Sequence, residues 1–173
     1  MPEGFEAVEN RLGQLLTNEE SCGRPVIPVR VQLLSTIWFL ATPDSFRSIS
    51  EKFNFKSSLH DCVCRVVKAL NIIAKEVIKW PTGEKLEITK EKFMNLGQTP
   101  MPGIVGAIDG CFIFIKKPNI EEFAIHYKSR KLQYAIVLQA ICDADLHFVD
   151  CFASYPGSVG DYRIFRNSDI YQV

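Results

Sequence analysis

The spacing of the apolar residues changes once along this chain, at residues 97–103, and that change limits what it can fold into. Before it, apolar residues recur at helical intervals; after it, they come in near-continuous or alternating runs of strand length. A helical part followed by a sheet-forming part is the expectation. With 47% hydrophobic and 23% charged residues the chain can build a packed core, which excludes disorder, collagen-like repeats and coiled coil. Its 173 residues allow one ordinary domain, or a small domain followed by part of another.

In the first part, residues 27–41 carry Val29, Leu33, Ile37 and Leu40 on one stripe, widened by Val31, Leu34 and Trp38 and stopped by Pro43. Asp44 or Ser45 can cap a second helix over 46–53, with Phe46, Ile49 and Phe53 on one face. After a turn at Asn54-Phe55-Lys56, Ser57-Ser58 opens a long helix to about residue 80, with Asp61 as the capping-box partner of Ser58. Pro81-Thr82-Gly83 ends it. Three helices with a short turn before the last fit a helix-turn-helix, in which the face around His60, Arg65 and Lys68 would meet a DNA groove. The same pattern fits a helical bundle with a solvated face.

After the linker, residues 104–115 and 134–142 are near-continuous apolar runs and 147–155 alternate, so three strands are expected, the second buried on both faces. Asp143-Ala144-Asp145 reads as a hairpin turn between the last two. Pro156-Gly157 ends the third strand, and 158–171 reads as a helix. The domain plan is therefore an N-terminal segment (1–23), a helix-turn-helix-like domain (24–96), a linker (97–103) and a sheet-forming domain (104–173).

Zero net charge, from 20 basic and 20 acidic residues, conceals an asymmetry. Residues 24–79 hold nine Lys and Arg against four Asp and Glu, whereas 109–173 hold seven against eight. A basic first half beside an acidic second half suggests an anionic polymer and a metal cation as separate partners. The six cysteines show no C-x-x-C pair and no His at ligand spacing, so they are expected to be buried thiols rather than zinc ligands. No stretch approaches the roughly 18 apolar residues of a membrane span. The acidic start lacks an apolar run, which predicts no signal peptide and a place in the cytosol or nucleus.

Two acids stand out. Asp109 lies at the centre of Ile104-Val-Gly-Ala-Ile-Asp-Gly-Cys-Phe-Ile-Phe-Ile115, where Asp-Gly is also a common hairpin turn. Asp161, in Ser158-Val-Gly-Asp161, also stands at a capping-box position. A carboxylate on a strand and another at a helix start can converge on Mg²⁺, which takes oxygen ligands. Two such ions about 4 Å apart activate water and stabilise the leaving oxygen in phosphodiester cleavage.

Five ordered motifs then resemble one family. Gly106-Ala-Ile-Asp-Gly110, Lys116-Lys-Pro118, Tyr127-Lys-Ser-Arg-Lys131, Gln139-Ala-Ile-Cys-Asp143 and Pro156-Gly-Ser-Val-Gly-Asp161, ending in Arg163-Ile-Phe-Arg-Asn-Ser-Asp169, resemble the PIF/Harbinger transposases and their domesticated relatives, the Harbinger transposase-derived nucleases. Ser45-Phe-Arg-Ser-Ile-Ser-Glu-Lys-Phe53 with Lys56-Ser-Ser58 is similar to the family's helix-turn-helix. The resemblance implies an α+β or α/β architecture: a helix-turn-helix-like domain and a partial ribonuclease H-like domain of the DDE endonuclease superfamily. It implies Asp109 as the catalytic first acid, Asp109 and Asp161 as ligands of Mg²⁺ or Mn²⁺, DNA as substrate, a Myb-like DNA-binding partner, and the nucleus as the place of action. The family's second Asp and final Glu have no counterpart before Val173. Phe112 and Gly160 stand where the family often has His, and Tyr155 where it has Trp.

On that basis Arg65, Lys68, Lys128, Arg130 and Lys131 are the expected nucleic-acid contacts, through phosphates and without a sequence preference. An exposed solvated loop is the alternative for the last three. The functional expectation is a transposase-derived, metal-dependent nuclease, inactive as this chain alone. A non-catalytic DNA- or protein-binding remnant, and a truncated gene product without independent function, are the rival expectations.

Overall fold

A computed structural model describes residues 3–16, 27–55, 59–97 and 99–172. The chain divides into two compact units, Met1–Val77 and Ile78–Val173.

The first unit is helical: α1 (Glu3–Leu16), α2 (Val29–Ala41), α3 (Phe46–Lys52) and α4 (Leu59–Val77). Helix α1 falls within the segment expected to precede the domain. Its signal was present in Phe5, Val8, Leu12 and Leu16, spaced three and four apart. Leu12, Leu33, Val66 and Ala69 form one buried cluster, with Phe5, Val8 and Ile73 packed against it. Ile49, Leu59 and Val63 form a second, closed by Phe39, Phe53 and Phe55.

The choice between two caps for α3 is resolved by hydrogen bonding. Ser45 accepts the Ser48 N–H at 3.2 Å, while Asp44 accepts from Trp38 Nε1 at 2.9 Å and Lys52 Nζ at 3.0 Å. Those two bonds, Trp38 first, hold the Asp44 carboxyl below its ordinary value. Asn54 makes the turn before α4 with a φ of 57°, a conformation Asn tolerates better than most residues. The capping box expected from Ser58 involves a residue outside the described ones. Helix α4 stops at Val77, one turn before the Trp80-Pro81 break predicted to end it.

The second unit contains α5 (Glu84–Leu96), β1 (Ala107–Phe114), α6 (Glu121–Tyr127), β2 (Ala135–Cys142), β3 (Phe148–Pro156), α7 (Asp161–Arg166) and a 3₁₀ turn (Asp169–Gln172). Helix α5 groups with the sheet, where Lys92 pairs with Asp145 at the β2–β3 turn. The division thus falls before α5, whereas the sequence suggested a linker after it. The strands form one antiparallel sheet in the order β1-β2-β3, and the architecture is α+β.

Three expectations need correction. Strand β1 runs through Asp109-Gly110 without turning, pairing Asp109 with Ala140 and Gly110 with Gln139, so the hairpin-turn alternative fails. Strand β2 is buried on one face (Ala135, Val137, Gln139, Ile141) and only half-buried on the other, so the expected burial of both faces is not met. The helix expected over 158–171 shortens to α7 followed by the 3₁₀ turn.

Among the described cysteines, Cys62 is buried, but Cys64, Cys111 and Cys151 are exposed. Cys111 and Cys151 lie on a half-covered sheet, where an apolar run does not bury every member, and Cys64 lies on the exposed side of α4. Cys22 lies outside the described residues.

Candidate metal and phosphodiester site

Gly157 fixes the path into the last helix. A Cβ there would lie 2.8 Å from the Tyr127 carbonyl oxygen and 3.0 Å from that of Ala135. Its N–H donates to Ala135 O at 2.8 Å, and Ser158 N–H donates to His126 O at 3.1 Å. These bonds bring the Pro156-to-Asp161 loop back across the sheet and start α7 at Asp161. The N-cap is Gly160 and no side chain caps the helix, so the capping-box explanation of Asp161 does not hold.

The Asp161 carboxylate instead reaches β1. A Cβ on Gly110 would lie 2.7 Å from Asp161 Oδ1 and 3.3 Å from its Cγ, so only a residue without a side chain admits the carboxylate in this position. Side chains alternate along β1, so the Asp109 Cβ leaves the sheet on the face opposite Gly110's. The Asp109 Oδ1 turns back to accept the Gly110 N–H at 2.7 Å, and Asp109 borders the same cleft as Asp161. That cleft, of about 330 Å³, is floored by Val137 and Gln139 and walled by Ile164 and Phe165. Gln139 opens one of the quoted motifs but was given no role at the site, although it is the one side-chain amide in the run of β2.

A second cleft of similar volume shares Asp161 and is lined by Phe112, Lys128, Ser129, Arg130 and residues 157–160. The Arg130 guanidinium stands 5.7 Å from the Phe112 ring centre. Lys128, Arg130 and Lys131 are exposed, and none pairs with a carboxylate among the described residues. The other two expected contacts, in the first unit, differ from each other. Arg65 is half-buried and donates to Gln32 Oε1 at 3.3 Å, so it serves helix packing; Lys68 is exposed on α4.

A third acidic group lies at the β2–β3 turn, where ligand atoms of Asp143, Asp145 and His147 fall within 4.8 Å of one another. Asp143 Oδ1 accepts the N–H groups of Asp145 and His147, each at 2.9 Å, which is the turn chemistry expected of this segment. Burial is the largest single influence on the Asp143 carboxyl and pushes it up. The two N–H groups and the His147 ring together outweigh burial and hold it below its ordinary value.

Residues 108–173 match the family described as DDE superfamily endonuclease. That stretch, from β1 to the end of the chain, is thus similar to DDE-type endonucleases. The proteins it resembles support the likeness to Harbinger transposase-derived nucleases that its motifs suggested. It is 29% identical over 135 residues to Protein ALP1-like of Arabidopsis thaliana, covering 78% of this chain and 32% of that protein. It is 27% identical over 161 residues to the protein named Putative nuclease HARBI1 of Rattus norvegicus, covering 92% of this chain and 45% of that one. Identity to Antagonist of Like Heterochromatin Protein 1 of Arabidopsis thaliana is 24% over 149 residues, covering 86% and 37%. The chain thus spans less than half the length of these relatives. No solved structure gives a significant match.

No helix among the described residues is long and apolar enough to cross a membrane.

Proposed function

We propose that this chain carries the metal-holding part of a transposase-derived nuclease acting on DNA phosphodiesters. The observation that carries the reading is the shared cleft of Asp109 and Asp161, with Gly110 reduced to a hydrogen where Asp161 lies. The donor set is all oxygen, the chemistry that Mg²⁺ and Mn²⁺ take. Bound there, such an ion would polarise a phosphoryl oxygen and lower the pKa of water. Asp109 and Asp161 would hold it, and Lys128, Arg130 and Lys131 would draw the DNA backbone along the adjoining cleft.

The same reading places the protein in the nucleus, with helices α2 to α4 as a helix-turn-helix presenting Lys68 to duplex DNA and a Myb-like partner assisting target choice. A relative named as a nuclease supports the enzymatic ancestry. The rival, a DNA-binding remnant without catalysis, is favoured by one observation. Among the described residues this cleft is bordered by two acidic residues, and the Asp109 side chain leaves β1 on the face opposite the one Asp161 approaches. We therefore expect metal and DNA binding without hydrolysis by this chain alone.

The test is Mn²⁺ binding followed by electron paramagnetic resonance, alongside incubation with supercoiled plasmid. Asp109→Asn and Asp161→Asn should each weaken Mn²⁺ binding, and the plasmid should stay supercoiled. Binding indifferent to both substitutions would remove the metal assignment. Cleavage that disappears in Asp109→Asn would overturn the inactivity and leave the site standing.

A further inference from the structure

Leu132 is held in a conformation and an exposure that its own chemistry does not explain. The Lys128–Tyr134 bridge and the Ser129 N–H bond to Gln133 O at 2.8 Å close a tight loop around residues 130–132. Leu132 N–H donates to Ser129 O at 2.9 Å, and Leu132 itself takes a φ of 60°. That left-handed region suits Gly or Asn and strains a leucine. The residue is also 75% exposed, so little packing offsets the strain. The loop is anchored at its base, where Ser129 is buried and the Arg130 guanidinium lies over the Phe112 ring. Its apolar tip follows Arg130 and Lys131, neither of which pairs with a carboxylate among the described residues. Backbone strain of this kind persists where function uses it.

We infer that Leu132 is a wedge that enters between stacked base pairs of duplex DNA while Arg130 and Lys131 hold the flanking phosphates. This rests on the DNA reading above. A duplex presents negative charge outside and apolar base faces within, the two chemistries that adjacent cations and a leucine match. Apolar wedges of this kind unstack a base step and kink the duplex. Through Lys128, Ser129 and Arg130 the same loop lines the cleft that shares Asp161, so the opened step would adjoin the candidate metal site. Leu146 supplies the contrast. It too has a positive φ, 65°, and is 84% exposed, but Asp143 and Asp145 stand beside it and repel phosphates.

A short duplex carrying 2-aminopurine, which brightens when its stacking is lost, reads the wedge; anisotropy of a labelled duplex reads binding. With the 173-residue chain both signals should rise. Leu132→Asn suits the left-handed backbone and should abolish the brightening, while binding and its steep fall with salt remain. Its melting temperature should equal or exceed the parent's, since strain is relieved. Leu146→Asn should brighten the duplex as the parent does. Brightening retained in Leu132→Asn, or lost equally in Leu146→Asn, would overturn the wedge and leave DNA binding standing. So would a parent that binds the duplex without brightening it. A Leu132→Asn that melts well below the parent would mark a fold contact and also overturn the wedge. A parent that binds no duplex at low salt ends both readings. Binding instead to phosphatidylserine vesicles, lost in Leu132→Asn, would overturn the wedge in favour of a membrane contact.

Discussion

Gly110 and Asp161 occupy each other's space: a methyl group on the glycine would sit 2.7 Å from the aspartate's Oδ1. The clashing atom is the end of a side chain that can rotate away, and the next neighbour, Val137 Cγ1, is at an ordinary 3.8 Å. Gly110→Ala should therefore change stability by less than about 1 kcal/mol, since relief of the contact is offset by a stiffer unfolded chain. Its effect should fall on the site, because Asp161 must leave its place. Denaturant melts and Mn²⁺ titration measure the two separately; an alanine variant with unchanged Mn²⁺ affinity would contradict this role of the glycine.

Gly157 gives the opposite expectation. The atoms its Cβ would meet are the Tyr127 and Ala135 carbonyl oxygens and the Ala135 Cβ, none of which can rotate aside. Gly157→Ala should destabilise by about 1–3 kcal/mol, the usual cost of overpacking. Urea unfolding read by circular dichroism would show the midpoint fall. A midpoint matching that of Gly110→Ala would refute the distinction.

Asp150, on β3, links stability to pH. Burial first, and then the negative charge of Asp169, push its carboxyl above the ordinary value. The folded chain therefore holds this proton more tightly than the unfolded chain. Stability contributed by the protonated form is present below the ordinary Asp value and is lost as pH rises through the raised one. Asp150→Asn should melt with the parent near pH 3 and above it near pH 7. An equal difference at both pH values would point to packing instead.

Lys128 and Arg130 at the second cleft, with Lys131 next in sequence, pair with no carboxylate among the described residues and predict a salt signature. Replacing Lys128, Arg130 and Lys131 together by alanine should reduce the slope of log affinity for duplex DNA against log salt by about 2–3, each contacted phosphate contributing about 0.9. Arg65→Ala should instead lower stability, since its guanidinium reaches Gln32 between helices. An unchanged slope in the triple variant would assign the loop to solvent.

Strand β1 has β2 on one side and no described strand on the other. Ile113 and Phe114 on it are 45% and 52% exposed. An open apolar edge recruits further strands, so the purified 173-residue chain should self-associate as its concentration rises. Light scattering that found a monodisperse monomer at all concentrations would count against it.

Periodicity alone located α2, α3, α4 and the three strands to within a few residues, because burial of one helix stripe or one sheet face is written directly into residue order. The motif spacing likewise singled out Asp109 and Asp161. What residue order left open was which local chemistry each acid served. Asp-Gly can turn a hairpin or continue a strand, and Asp161 can cap a helix or leave its backbone for β1. Pairing with β2 decided the first, and the close approach at Gly110 decided the second. The same holds for Arg65, drawn into helix packing; for Cys64, Cys111 and Cys151, left exposed; and for Gln139, whose burial exists only once β2 is covered. Sequence fixes periods and local preferences because they act between near neighbours along the chain. Partners supplied by distant segments, and the burial they impose, are settled only when the elements pack.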